Sequence, residues 1–214
     1  MNFAIVLSGC GVYDGAEIHE ATMTMLALDR NGCDFTVFAP NIKQHHVINH
    51  LTGEVMDESR NVLVESARIA RGRISPLSEY QAGRFDGIIF PGGFGVAKNL
   101  CSYAFDGTEM RIDKVVEQAI RQTHSLGKPI GALCISPVLI AAVIEGAEVT
   151  MGSDTKYNDE ISALNGKNKT AANREIITDH KNKIVSTPCY MNDAKISDIA
   201  EETDKLIKAI IALK

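Results

Sequence analysis

Three residue groups in this chain have types and spacings that suit chemistry: Cys134 in GALCISP, the glycine pair of PGGFG at residues 91 to 95, and Glu17 in YDGAEIHEA. Cys134 stands where the apolar run Pro129 to Leu133 stops reading as a strand and Ser136 onward begins to read as a helix. A nucleophile on so sharp a corner needs small neighbours two residues to either side, and Ala132 and Ser136 supply them. Pro137 suits a first helical turn, whose N–H groups have no intrahelical partner. A helix beginning beside the sulfur is expected to lower the thiol pKa and favour the nucleophilic thiolate. The competing expectation is an inert buried thiol, because free cysteine packs as a small hydrophobe.

Paired glycines after a strand let backbone approach a ligand and aim N–H groups at a developing oxyanion. Gly93, with Gly92 beside it, is therefore expected to supply one donor and the Ile135 N–H the other. Glu17 is expected either to share a proton with the sulfur or to complete a capping box that begins at Asp14. Cys10, in the same loop as Glu17, is a further pocket candidate with a structural role as its alternative. Gly9, Gly11 and Gly15 miss the spacing of a dinucleotide fingerprint, since Asp14 stands where its third glycine belongs. The six histidines lack metal-ligand spacing, so no metal is expected and solvated or core roles are assigned to all six.

The elements that must hold these groups alternate. Phe3 to Leu7 reads as a buried parallel strand, and a helical face of Ile18, Ala21, Thr22, Met25 and Leu28 ends at Asn31-Gly32. Strands follow at Cys33 to Phe38 and Asp86 to Phe90, a helix at Ile112 to Leu126, and a last helix carries Ile196, Ile199, Leu206, Ile210 and Leu213. Residues 48 to 73 are expected to form a helical decoration. With 214 residues and 45% hydrophobic composition, the expected architecture is one domain spanning 1–214, an α/β three-layer sandwich with a mostly parallel central sheet.

A formal charge of -5 without clustered Lys and Arg argues against nucleic acid as a partner, and no apolar run reaches the roughly 20 residues of a membrane span. Five scattered cysteines without CxxC spacing fit reduced thiols. With an opening that lacks the marks of a signal or transit segment, they lead to an expectation of a cytoplasmic protein.

SGCGVYDGAEIHEA, PGGFGVAKNL, GALCISP and STPCYM together resemble the superfamily of PfpI-like proteases, the Parkinsonism-associated deglycase and class I glutamine amidotransferases. With INHLTGE and RNVL they look most like its ElbB branch, the isoprenoid-biosynthesis, glyoxalase-like proteins. The resemblance covers nearly the whole chain and implies a flavodoxin-like fold. It implies Cys134 as elbow nucleophile, Glu17 as the carboxyl beside it, and Gly93 with the Ile135 amide as the oxyanion site. Ile135 stands where PfpI-like proteases carry histidine, and the chain has no His-x-Glu partner of the amidotransferase kind, so neither peptidase nor glutaminase activity is expected.

These expectations converge on a cysteine-dependent, cofactor-independent conversion of glyoxal or a related small 2-oxoaldehyde to a hydroxy acid. Two alternatives stay open: a non-enzymatic redox-responsive or partner-binding protein, and a deglycase. The small aldehyde is then the partner, and the assembly expected is a homodimer.

Overall fold

The computed structural model describes residues 1–214. Seven strands form the main sheet: β1 (Asn2–Val6), β2 (Asp34–Ala39), β3 (Ile74–Pro76), β4 (Gly87–Phe90), β5 (Ile130–Leu133), β8 (Ile177–Asp179) and β9 (Ile184–Thr187). Their order is β3-β2-β1-β4-β5-β9-β8, and every pairing is parallel except that of the edge strand β8 with β9. The short strands β6 (Glu148–Val149) and β7 (Lys167–Asn168) pair with each other apart from it. The central strands β1, β4 and β5 are buried almost throughout, as expected of apolar runs covered on both faces.

The helices are α1 (Ile18–Arg30), α2 (Val62–Ile69), α3 (Tyr103–Asp106), α4 (Lys114–Ser125), α5 (Pro137–Val143), α6 (Tyr157–Ala163) and α7 (Ile196–Ala212). One face of the sheet packs against α1 and α7 through Phe3, Ile5, Leu28, Leu206 and Ile210. The other packs against α4 and α5 through Phe90, Val116, Ile120, Val138 and Leu139. This is the expected α/β sandwich, and its consequence for function is positional. The carboxyl ends of β1, β4, β5 and β9 stand side by side, so the loops that follow them form one row at the edge where open α/β sheets hold ligands.

Two expectations about local structure are corrected. Residues 48 to 73 do not form one helix; only Val62–Ile69 is helical, with the Asn61 side chain capping it through the Val64 N–H. Ahead of it, Asn49 turns the chain by accepting the Leu51 N–H, and Ile48 bridges back to Val55. The Asn and Gly of NHLTG thus favour a turn that local apolar spacing does not reveal. The second correction is the rotation of α1. Its buried residues are Glu20, Ala21, Thr24, Ala27 and Leu28, while Ile18 and Thr22 face outward.

Candidate active site

Cys134 closes β5 with a backbone φ of 58°. For a residue with a Cβ this left-handed conformation costs roughly 1–2 kcal/mol, and the surroundings hold it there. The Cys134 N–H donates to the Thr187 carbonyl oxygen at 3.0 Å, extending the β5–β9 ladder by one bond. Ser136, fully buried, donates its hydroxyl to the Pro91 carbonyl oxygen at 2.9 Å and ties the corner to the loop after β4. Pro137 opens α5, as expected from its missing N–H.

That β4 loop lies against the sulfur. A side chain on Gly92 would start 2.5 Å from Cys134 Cβ and 3.0 Å from its sulfur, so only glycine lets the two segments meet. Gly93 takes φ of 101°, a conformation open to glycine, and turns its N–H toward the sulfur. The Ile135 N–H does the same from the other side. Both residues named from sequence as oxyanion donors therefore have their N–H groups directed at Cys134.

The carboxyl beside the sulfur belongs to Glu20, not Glu17. Glu17 lies just outside α1 in extended conformation (φ −66°, ψ 122°), where it acts as the N-cap and accepts the Glu20 N–H at 2.7 Å. Its own N–H donates to the Gly92 carbonyl oxygen at 2.9 Å. Glu20, one turn later and fully buried, accepts the Gly92 N–H at 2.8 Å and lies beside the Cys134 thiol, so that each affects the ionisation of the other. The backbone of Tyr190, in the loop after β9, lies beside it and favours its charged form. Asp14 caps nothing at α1 and instead accepts the Ile48 N–H at 2.7 Å.

Burial, with the Glu17 charge second, pushes the Glu20 carboxyl up to about 8. The Cys134 thiol is also raised, first by burial and then by Glu20, against the opposing pull of the Gly93 and Ile135 N–H groups. The expectation of a lowered thiol pKa is thereby reversed. One N–H at the start of a seven-residue helix does not offset removal from water plus a buried carboxylate alongside. The two groups titrate as a pair that resists losing both protons.

This has a consequence for stability. Glu20 keeps its proton when folded and loses it near 4.5 when unfolded, so its contribution is complete below that pH and is lost as pH rises toward about 8. The melting temperature is expected to fall between pH 5 and pH 8.5 in the wild type, and E20Q should remove much of that fall. Thermal scans of both proteins check it.

Two further residues reach the site without having been signalled by sequence. The His19 Nδ1 lies 2.8 Å from the Tyr190 hydroxyl and 3.8 Å from Glu17 Oε1, on the half-exposed start of α1. His19 and Tyr190 stand 171 positions apart, and no local periodicity connects them. Cys10 lies elsewhere: after burial, the charges that act on it most are those of Glu65, Arg68, Asp14 and Arg60. Cys134 itself is buried, with 8% of its surface exposed. A hollow of ≈ 670 Å³ lies beside α1 between Met25, Phe35 and Ile69, away from Cys134.

Comparison with known proteins agrees with this fold. The model of the DJ-1/PfpI family matches residues 10–195. A rat protein called ES1 protein homolog, mitochondrial, is 44% identical over 220 residues, covering 98% of this chain and 83% of that one. The human glutamine amidotransferase-like class 1 domain-containing protein 3, mitochondrial, is likewise 44% identical, covering 98% and 82%. The crystal structure of an isoprenoid biosynthesis protein with amidotransferase-like domain from Ehrlichia chaffeensis superposes with a TM-score of 0.94 at 37% identity, covering 100% of this chain and 99% of that one. The two mitochondrial relatives overturn the cytoplasmic expectation, which rested on the reading of the opening residues and on reduced thiols, neither of which distinguishes one reducing compartment from another. The chain belongs to the DJ-1/PfpI family.

Proposed function

We propose that this protein is a cysteine-dependent enzyme that converts glyoxal, or a 2-oxoaldehyde of similar size, to the corresponding hydroxy acid without glutathione. The observation that carries the reading is the fully buried Glu20 carboxyl paired with the Cys134 sulfur, with two backbone N–H groups aimed at that sulfur. The ElbB-type branch is the finer family assignment that we favour, supported by the fold and 37% identity of the Ehrlichia isoprenoid biosynthesis protein.

The chemistry is internally balanced. In the fraction of molecules whose Glu20–Cys134 pair has released its first proton, the Glu20 carboxylate takes the Cys134 proton as the sulfur adds to one aldehyde carbon, while the Gly93 and Ile135 N–H groups stabilise the oxyanion. Glu20 returns the proton to that oxygen, giving a hemithioacetal. The carboxylate then removes the hydrogen from the carbon bearing sulfur and delivers a proton to the neighbouring carbon. The first carbon is oxidised to a thioester and the second is reduced to an alcohol, so no external oxidant enters. Water cleaves the thioester, yielding glycolate from glyoxal and restoring the thiol.

A carboxyl raised to about 8 suits this traffic, because it holds or releases a proton near neutrality at little cost. The burial of Cys134 favours a small free aldehyde over glycated protein, the bulky substrate a deglycase would have to admit. The test is incubation of wild-type protein with glyoxal in buffer free of glutathione, following glyoxal loss and glycolate by chromatography. Glycolate forming in step with glyoxal loss is expected; a stoichiometric Cys134 adduct without turnover would refute the enzymatic reading.

A further inference from the structure

The corner at Cys134 has a neighbour built the same way. β9 ends at Thr187, and two residues later Cys189 takes φ of 46°, a second cysteine in the left-handed conformation at the carboxyl end of a strand. The strands are adjacent: Leu133 pairs with Thr187, and the Cys134 N–H bonds the Thr187 carbonyl oxygen at 3.0 Å. Neighbouring strands lie about 4.8 Å apart, and a disulfide spans about 4.4–6.8 Å between Cα atoms. Cys134 and Cys189 are one and two residues past the last pair, and both side chains belong to the hydrophobic cluster beneath α1 and α7.

Each cysteine also has a buried glutamate. Glu202 of α7, fully buried, accepts the Cys189 N–H at 2.7 Å, the Thr187 hydroxyl at 2.8 Å and the Arg174 N–H at 2.8 Å. The backbone of the next residue, Tyr190, lies beside Glu20 and favours its charged form, so a single short loop runs past both carboxyl groups. The Cys134 and Glu20 charges both act on the Cys189 thiol, which places the two sulfurs in one electrostatic neighbourhood. Nothing in the aldehyde chemistry uses Cys189.

We propose that Cys189 is the resolving thiol for Cys134, closing an intrachain disulfide when a hydroperoxide oxidises the site. The Cys134 thiolate attacks one peroxide oxygen; the O–O bond breaks, sulfur is oxidised to sulfenic acid, and the peroxide is reduced to water or an alcohol after taking up a proton. The Cys189 sulfur then attacks the Cys134 sulfur, the S–O bond breaks, and the Cys189 proton leaves with the hydroxyl as water. A small external thiol reverses the bond. This rests on the reactivity of Cys134 assigned above, but not on aldehyde turnover.

The experiment treats wild-type protein with hydrogen peroxide, blocks remaining thiols, and maps peptides by mass spectrometry without reduction. The expected result is a peptide pair linked through Cys134 and Cys189 that disappears with dithiothreitol. In C189S and C189A, Cys134 should instead accumulate dimedone-reactive sulfenic acid and proceed to sulfinic acid at least about tenfold faster than in the wild type. No linked pair in the wild type, or equal rates of overoxidation in all three proteins, would overturn the proposal. The linked pair is read in the unmodified chain, so it does not depend on either variant folding. If the pair forms while glyoxal is not consumed, the aldehyde reading fails and the redox reading stands.

Discussion

E20Q is expected to slow glyoxal turnover by about 10²–10⁴-fold, the range carried by a positioned general acid–base, while E17Q leaves it nearly intact. Glutamine at position 20 can still accept the Gly92 N–H, so the loop after β4 keeps its anchor and the loss isolates proton transfer. Glutamine at position 17 can still accept the Glu20 N–H and cap α1, so its cost in stability should stay below about 1 kcal/mol. Steady-state rates with thermal melts of both variants separate the roles. The reverse order, with E17Q inactive and E20Q active, would reject the assignment of the proton carrier.

C134S should remove turnover by on the order of 10⁴-fold or more, since hydroxyl is far less acidic than thiol and no histidine adjoins position 134 to activate it. The pH dependence of Cys134 alkylation makes the same point without a substrate. Rates in the wild type should climb through about pH 8, where the Glu20–Cys134 pair gives up its first proton. In E20Q the climb should move to higher pH if Glu20 supplies the acceptor for that proton. Iodoacetamide labelling, quantified on the Cys134 peptide, checks this; an unmoved profile would mean the sulfur ionises without the carboxyl.

The corner that carries Cys134 was legible because its cause is local. Small residues at 132 and 136, proline at 137 and an apolar strand before them are steric requirements written within six positions. The same holds for PGGFG, where the absence of a side chain at Gly92 makes room for the sulfur. The carboxyl was misplaced by one helical turn because Ile18 and Thr22 looked like part of a core-facing stripe. With those residues outward, Glu20 is the carboxyl that faces inward, and a fully buried carboxyl is one that hydropathy reasoning assigns to the surface. Cys189, Tyr190 and Glu202 enter the neighbourhood through sheet order, and β9 beside β5 joins residues 54 positions apart at the Leu133–Thr187 pair. Adjacency of that kind has no trace in a short window of sequence.

The hydroxyl of Ser136 clasped to the carbonyl of Pro91 makes nucleophile and amide donors a single rigid body. The His19–Tyr190 pair, half-exposed and 2.8 Å apart, lies outside that clasp. Substitutions at His19 or Tyr190 therefore leave the clasp between the two loops in place.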